Sequence, residues 1–77
     1  MLQFVRIKYE NTRDVYVDES QNGETNTIIR VDEGTHKFDL GTPEDYTPSS
    51  IEEQVTGTTA IKPLEIQFNA ISEEDSP

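Results

Sequence analysis

The sequence predicts an all-β protein, a small antiparallel β-sandwich or open barrel of about six to seven short strands. Apolar and polar residues alternate with period two along most of the chain, the pattern of a strand with one face buried. The alternating apolar positions are mainly β-branched or aromatic, the side chains that fit a pleated, half-buried surface. The four glycines, Gly23, Gly34, Gly41 and Gly57, are isolated, and each falls near a predicted turn.

In LQFVRIKY, residues 2–9, Val5, Ile7 and Tyr9 share one face while Arg6 and Lys8 point the other way, which predicts a first strand. RDVYVD predicts a second, with Val15 and Val17 inward and Asp14, Tyr16 and Asp18 outward. The stretch VDESQNGETN is read as a polar hairpin connection, with Asn22 and Gly23 reversing the chain. TNTIIRVD is the third strand, with Ile29 and Val31 inward, and DEGT turns at Gly34 into a fourth. That strand, HKFDL, places His36, Phe38 and Leu40 on one face. Two prolines and a glycine make residues 41–50 the longest predicted loop.

Residues 51–55 fit two readings. Ser49 or Ser50, followed by Glu52 or Glu53, suits a capping box, whereas Ile51, Glu53 and Val55 on one face suit an edge strand, the preferred reading. TAIKPLEIQF is read as a long last strand with Leu64, Ile66 and Phe68 on one face, and Pro63, lacking an N–H, belongs at an edge or bulge. The end of the chain, NAISEEDSP, is rich in carboxylates, and disorder is expected there. Residues 1–70 are thus read as a single domain and residues 71–77 as a disordered acidic tail.

A chain of 77 residues buries only about 60% of the surface its unfolded form exposes, so a cavity would compete with the core for apolar side chains. Cysteine is absent, which removes disulfides, thiolate nucleophiles and Cys-ligated zinc. The N-terminus lacks a basic start followed by a long apolar run, and no segment resembles a membrane span, so a cytoplasmic protein is expected. The formal net charge is −10. It is unevenly placed: Arg6, Lys8 and Arg13 against Glu10 make residues 1–13 +2, and the remainder is −12. Such a charge argues against direct nucleic-acid binding and against anionic membranes, because both draw affinity from Lys and Arg. It is read as keeping a small domain soluble and monomeric.

Asp18, Ser20, Asn22 and Gly23 reproduce the opening of a calcium loop, but the twelfth position, where a bidentate Glu is needed, is Ile29. The stretch also lies between strands rather than helices, and no metal site is expected. His36 is the single histidine; its parity beside Phe38 and Leu40 suits a packed or rim position, and no nucleophile stands ready to use it as a base. One His without Cys leaves zinc too few ligands. The carboxylate pairs Asp32/Glu33, Glu44/Asp45, Glu52/Glu53 and Glu73/Glu74 are adjacent in sequence, so in strands they point to opposite faces rather than toward one bond. No glycine-rich phosphate cradle is present. Catalytic residues and cofactors are therefore expected to be none. Leu2, Phe4, Tyr16 and Ile28 face away from the predicted core and the 41–50 loop adds Tyr46; these either form a partner patch or fill a second layer of the sandwich.

In order, these features resemble a PEGA domain, a small all-β module of bacteria and archaea. Val17-Asp18, Gly23 with Thr25, the run Asp32-Glu33-Gly34-Thr35-His36, and Tyr46 with Pro48 fall on that family's pattern, and VTGTTAIKPLEIQF resembles its closing strands. The likeness spans residues 15–68. Asp32 stands for the motif's proline, Thr35 for its alanine, Asp45 for the usual glycine before the tyrosine, and Asn26 for a common proline. The resemblance implies a β-sandwich without catalytic residues, of a kind carried by larger envelope or surface-layer-like proteins. The expected function is protein–protein or scaffold contact with an unknown protein partner. The alternative is an acidic inhibitor or nucleic-acid mimic that binds a basic partner.

Overall fold

The computed structural model describes residues 2–71 and is all-β, a small sandwich of two main sheets. The strands are β1 (Leu2–Lys8), β2 (Asp14–Val17), β3 (Ser20–Glu24), β4 (Ile28–Asp32), β5 (Gly34–Asp39), β6 (Tyr46–Thr47), β7 (Ile51–Val55), β8 (Leu64–Gln67) and β9 (Asn69–Ala70). One sheet has the order β4-β1-β8 and the other β3-β2-β5-β7, while β6 and β9 form a two-residue pair at one end. Pairing is antiparallel except between β1 and β8, which run parallel with Val5 opposite Leu64 and Ile7 opposite Ile66. No helix among the described residues is long and apolar enough to cross a membrane.

The predicted inward faces meet in one core. Val5, Ile7, Val15, Phe38, Val55 and Phe68 are fully buried, and Tyr9, Val17, Ile29, Val31, Leu40 and Ile66 nearly so. Residues 51–55 are a strand, at the edge of the four-stranded sheet, with Ile51 opposite Phe38 and Val55 opposite Gly34.

Three expectations need correction. The quoted polar stretch does not turn at Asn22-Gly23. The chain reverses at Asp18 and Glu19, whose φ values of 52° and 70° make a two-residue hairpin between Val17 and Ser20, and residues 20–24 then form β3. Asp18 is held in this left-handed conformation because its Oδ1 accepts the Lys37 N–H at 2.9 Å, a side-chain bond an Asn-Gly turn would not make. Gly23 serves instead as a bulge: Tyr16 opposes Gln21 but Asp14 opposes Glu24, so β3 carries one extra residue, and Gly23 takes φ 81° there.

The long last strand is shorter than predicted. Thr59 and Lys62 close a tight turn, Pro63 sits just before the ladder it cannot join, and β8 covers only Leu64–Gln67. Asn69 and Ala70, in the stretch where disorder is expected, pair with Thr47 and Tyr46. The acidic tail expected at residues 71–77 lies, beyond Ile71, outside the described residues.

Of the two readings open for Tyr46, the structure takes the second: it fills the sandwich as a core residue. Its ring stands edge-on to Phe68 at 5.5 Å and to Tyr9 at 6.4 Å, and its hydroxyl accepts the Leu40 N–H and donates to the Gly41 carbonyl. A hydroxyl bonded to backbone a few residues upstream is the device by which sandwich domains pin a corner. Arg13 closes the same corner from outside. Its guanidinium lies 5.0 Å over the Tyr46 ring, pairs with Asp45 and donates to the Pro43 carbonyl at 2.8 Å. The loop that reads as unstructured is therefore anchored at both ends.

Polar side chains complete the ladders where strands run out. β8 begins opposite Val5, leaving the first half of β1 without a neighbour on that side, and Thr58 Oγ1 accepts the Phe4 N–H at 2.7 Å. The Oε1 of the buried Gln3 side chain accepts both the Thr58 N–H and its hydroxyl. At the other end of β1, the Asn26 amide pairs with the N–H and C=O of Tyr9 as a strand would. Thr25, nearly inaccessible, accepts the Arg13 N–H and donates to the Asn11 carbonyl. No buried side-chain polar atom among the described residues is left without a partner.

Candidate functional site

His36 sits at the start of β5, where the two sheets meet. Its Nδ1 lies 2.6 Å from Asp18 Oδ2, in the β2–β3 turn, and its Nε2 lies 2.6 Å from the carbonyl oxygen of Asp32, at the end of β4. Both partners are acceptors, so the arrangement is fully satisfied only by the doubly protonated imidazolium. The Asp18 hydrogen bond raises the His36 pKa above its ordinary 6.5, against a smaller opposing effect of burial, with the Asp32 carbonyl adding to the rise. The bond from His36 likewise holds the Asp18 carboxyl below its ordinary 3.8, helped by the Lys37 N–H. Glu53 is the cross-strand neighbour of His36 on β7.

This constellation is a staple rather than a base. A general base needs a free nitrogen facing a substrate, and both His36 nitrogens are engaged inside the protein. A pH dependence follows from the two shifts. The His36 contribution to stability is fully present below about pH 6.5 and is lost as pH rises through the raised folded value; that of Asp18 is present above about pH 3.8 and is lost as pH falls through its lowered one. The pair therefore stabilises most between these limits. Asp18 is half exposed, so the effect is expected to stay within about 1 kcal/mol. Urea unfolding of the wild type and of His36→Gln from pH 5 to pH 9 checks it: the stability gap narrows above pH 6.5, and a gap independent of pH would show that no imidazolium is held.

Beside the staple, a groove of about 340 Å³ opens where β3 and β4 approach each other, lined among others by Leu2, Val17, Asn22, Arg30, Asp32 and His36. Asn22 spans its floor by donating to the Arg30 carbonyl at 2.9 Å. Of the would-be calcium ligands, Asp18 is thus committed to His36 and Lys37, and Asn22 to β4. Among the described residues no group of three or more His, Cys, Asp or Glu is placed to hold a metal ion.

The carboxylate pairs are dispersed. Glu52 and Glu53 oppose Lys37 and His36 on different faces of β7, Asp45 pairs with Arg13, and Glu33 accepts the Thr56 hydroxyl. Glu73 and Glu74 lie outside the described residues.

The possible partner patch divides in three. Tyr46 is buried, and Tyr16 lies on the outward face of the four-stranded sheet beside Asp39 and Gln21. Leu2, Phe4 and Ile28 do come together, on the outward face of the three-stranded sheet. There β1 contributes Leu2, Phe4, Arg6 and Lys8, β4 contributes Ile28, Arg30 and Asp32, and β8 contributes Glu65 and Gln67. Arg30 stands opposite Phe4, and Arg6 lies between Ile28 and Glu65, with which it pairs at 3.1 Å. Leu2 is 49% exposed and Ile28 38%. This face therefore gathers three of the six basic side chains and only two of the sixteen acidic ones. Its β1 half was visible as the basic N-terminal segment; Arg30 joins it only through the β1–β4 register.

Compared with known proteins, the chain matches no family model, no curated protein and no solved structure.

Proposed function

We propose that this protein is a non-enzymatic, PEGA-like β-sandwich module that acts by contact with another protein. The observation that carries the reading is the outward face of the β4-β1-β8 sheet, where Leu2, Phe4 and Ile28 are interleaved with Arg6, Lys8 and Arg30. Apolar side chains left outside a core this small favour a partner, and flanking charges give the contact its orientation. The engagement of both His36 nitrogens supports the absence of a catalytic role. The alternative, an inhibitor that imitates nucleic acid, needs rows of carboxylates at phosphate-like spacing. On the outward face of the other sheet Asp14, Asp39 and Glu52 are separated by Tyr16 and Lys37, which gives that alternative no support.

Affinity capture from host extract, run in parallel with the wild type and a Phe4→Ser/Ile28→Ser variant, tests the proposal. A protein retained by the wild type and lost by the variant is the expected result. Identical captures by both, or turnover of a substrate by the purified protein, would sink it.

A further inference from the structure

From the same face we infer the chemistry of the partner: a short, extended, acidic polypeptide segment carrying apolar side chains between its carboxylates. The inference rests on the interaction-module reading and adds what the module recognises.

Charge is the first argument. Among the described residues Lys8 and Arg30 have no carboxylate within ion-pair distance, in a chain where acidic residues outnumber basic ones by more than two to one. Arg6 is paired only with Glu65, and that pair is half exposed. Unpaired cations on the one basic face of an acidic protein are complementary to anions.

Geometry is the second. Along β1 the outward residues run apolar to basic, from Leu2 and Phe4 to Arg6 and Lys8, while on β4 Ile28 lies beside the basic half and Arg30 beside the apolar half. Apolar and cationic groups therefore face each other across the β1–β4 pair, at about 5 Å, while along β1 two apolar positions are followed by two basic ones at steps of about 7 Å. An extended chain repeats its own side chains on one face at that same interval of about 7 Å.

Size is the third. Three short strands offer a face of roughly 300 Å², well below the ~800 Å² per partner of a stable globular interface. A single segment of about eight residues fits it. Polyanions fit less well, because the body of the domain is strongly acidic and repels an extended line of phosphates, whereas a short segment feels mainly the field within a Debye length of about 8 Å.

The probe is a capped peptide of about eight residues alternating Glu with Val or Phe, titrated into the ¹⁵N-labelled protein at 0.15 M salt. Amide shifts centred on Phe4, Arg6, Lys8 and Arg30 are expected, with binding at least tenfold weaker for Lys8→Glu/Arg30→Glu and for a peptide with Gln in place of Glu. The milder variant Lys8→Gln/Arg30→Gln, whose unfolding curve is compared with that of the wild type, separates lost binding from lost fold. Shifts confined to another face, equal affinity of the reversed-charge variant, or tighter binding of an octathymidylate or of phosphatidylglycerol vesicles would each overturn the inference. A host protein captured equally well by the reversed-charge variant, but lost from Phe4→Ser/Ile28→Ser, would overturn this inference and leave the interaction-module reading intact.

Discussion

Replacing Phe38 by Ala is expected to lower the stability of the fold by about 3–5 kcal/mol. Phe38 is fully buried at the middle of the four-stranded sheet, between Val17 on β2 and Ile51 on β7, with its ring edge-on to His36 at 6.3 Å. Truncating a buried Phe costs about 3–5 kcal/mol, because the transfer energy of the ring is lost and a cavity remains. A domain of this size holds only about 4–12 kcal/mol in total, so one substitution removes a large part of it. A large fall of the urea midpoint, followed by far-ultraviolet circular dichroism, is the measurement. A variant that keeps the wild-type midpoint would mean that Phe38 does not hold the two sheets together.

The second large effect concerns a residue without a side chain. Gly23→Ala is expected to cost about 2–4 kcal/mol, from two separable causes. The backbone there has φ 81°, which an L-residue adopts at a cost of about 1–2 kcal/mol, and a Cβ would stand 2.2 Å from Ile29 Cγ2. Ile29 is buried in the core and cannot retreat without moving its neighbours. Replacing Ile29 by Leu removes the Cγ2 atom and leaves only the 3.3 Å approach to the Cβ of residue 29, so in that background the cost of Gly23→Ala should fall toward the backbone part. Chemical denaturation of the four proteins of this cycle gives the answer. Equal costs in both backgrounds would place Gly23 away from Ile29 and undo the bulge.

Both effects lie in regions that differ in how readable they were. The face of Phe38 follows from HKFDL alone, since alternation forces residues 36, 38 and 40 to one side whatever the strand pairs with. Gly23 was read as the centre of a turn, because Asn-Gly is the strongest local signal for a hairpin. The turn instead formed at Asp18-Glu19, a dipeptide with no such preference, since the carboxylate of Asp18 finds His36 and Lys37 on a strand some eighteen residues further on. Local preference was outweighed by hydrogen bonds that no window of sequence contains. The place of Tyr46 stays open in the sequence for a related reason. Its surroundings, with prolines at 43 and 48, read as loop, and its burial depends on Phe68, Tyr9 and Arg13 arriving from three other parts of the chain.

The candidate surface divides in the same way. Leu2, Phe4, Arg6 and Lys8 were legible as outward residues of one strand. That Ile28 and Arg30 share their face, and that Tyr16 does not, depends on which strands are neighbours.

The amino-acid sequence by itself determined the all-β character of the chain, the inward faces of β1, β2, β4, β5 and β8 and the absence of cysteine chemistry, because these rest on period-two alternation and composition, which are local. Tertiary structure alone decided the parallel β1–β8 pair, the staple of His36 between Asp18 and Asp32, the corner closed by Tyr46 and Arg13, and the gathering of basic side chains on one sheet of an acidic protein. Each of these joins residues far apart in the chain, and their energies favour one arrangement only after the two sheets have met.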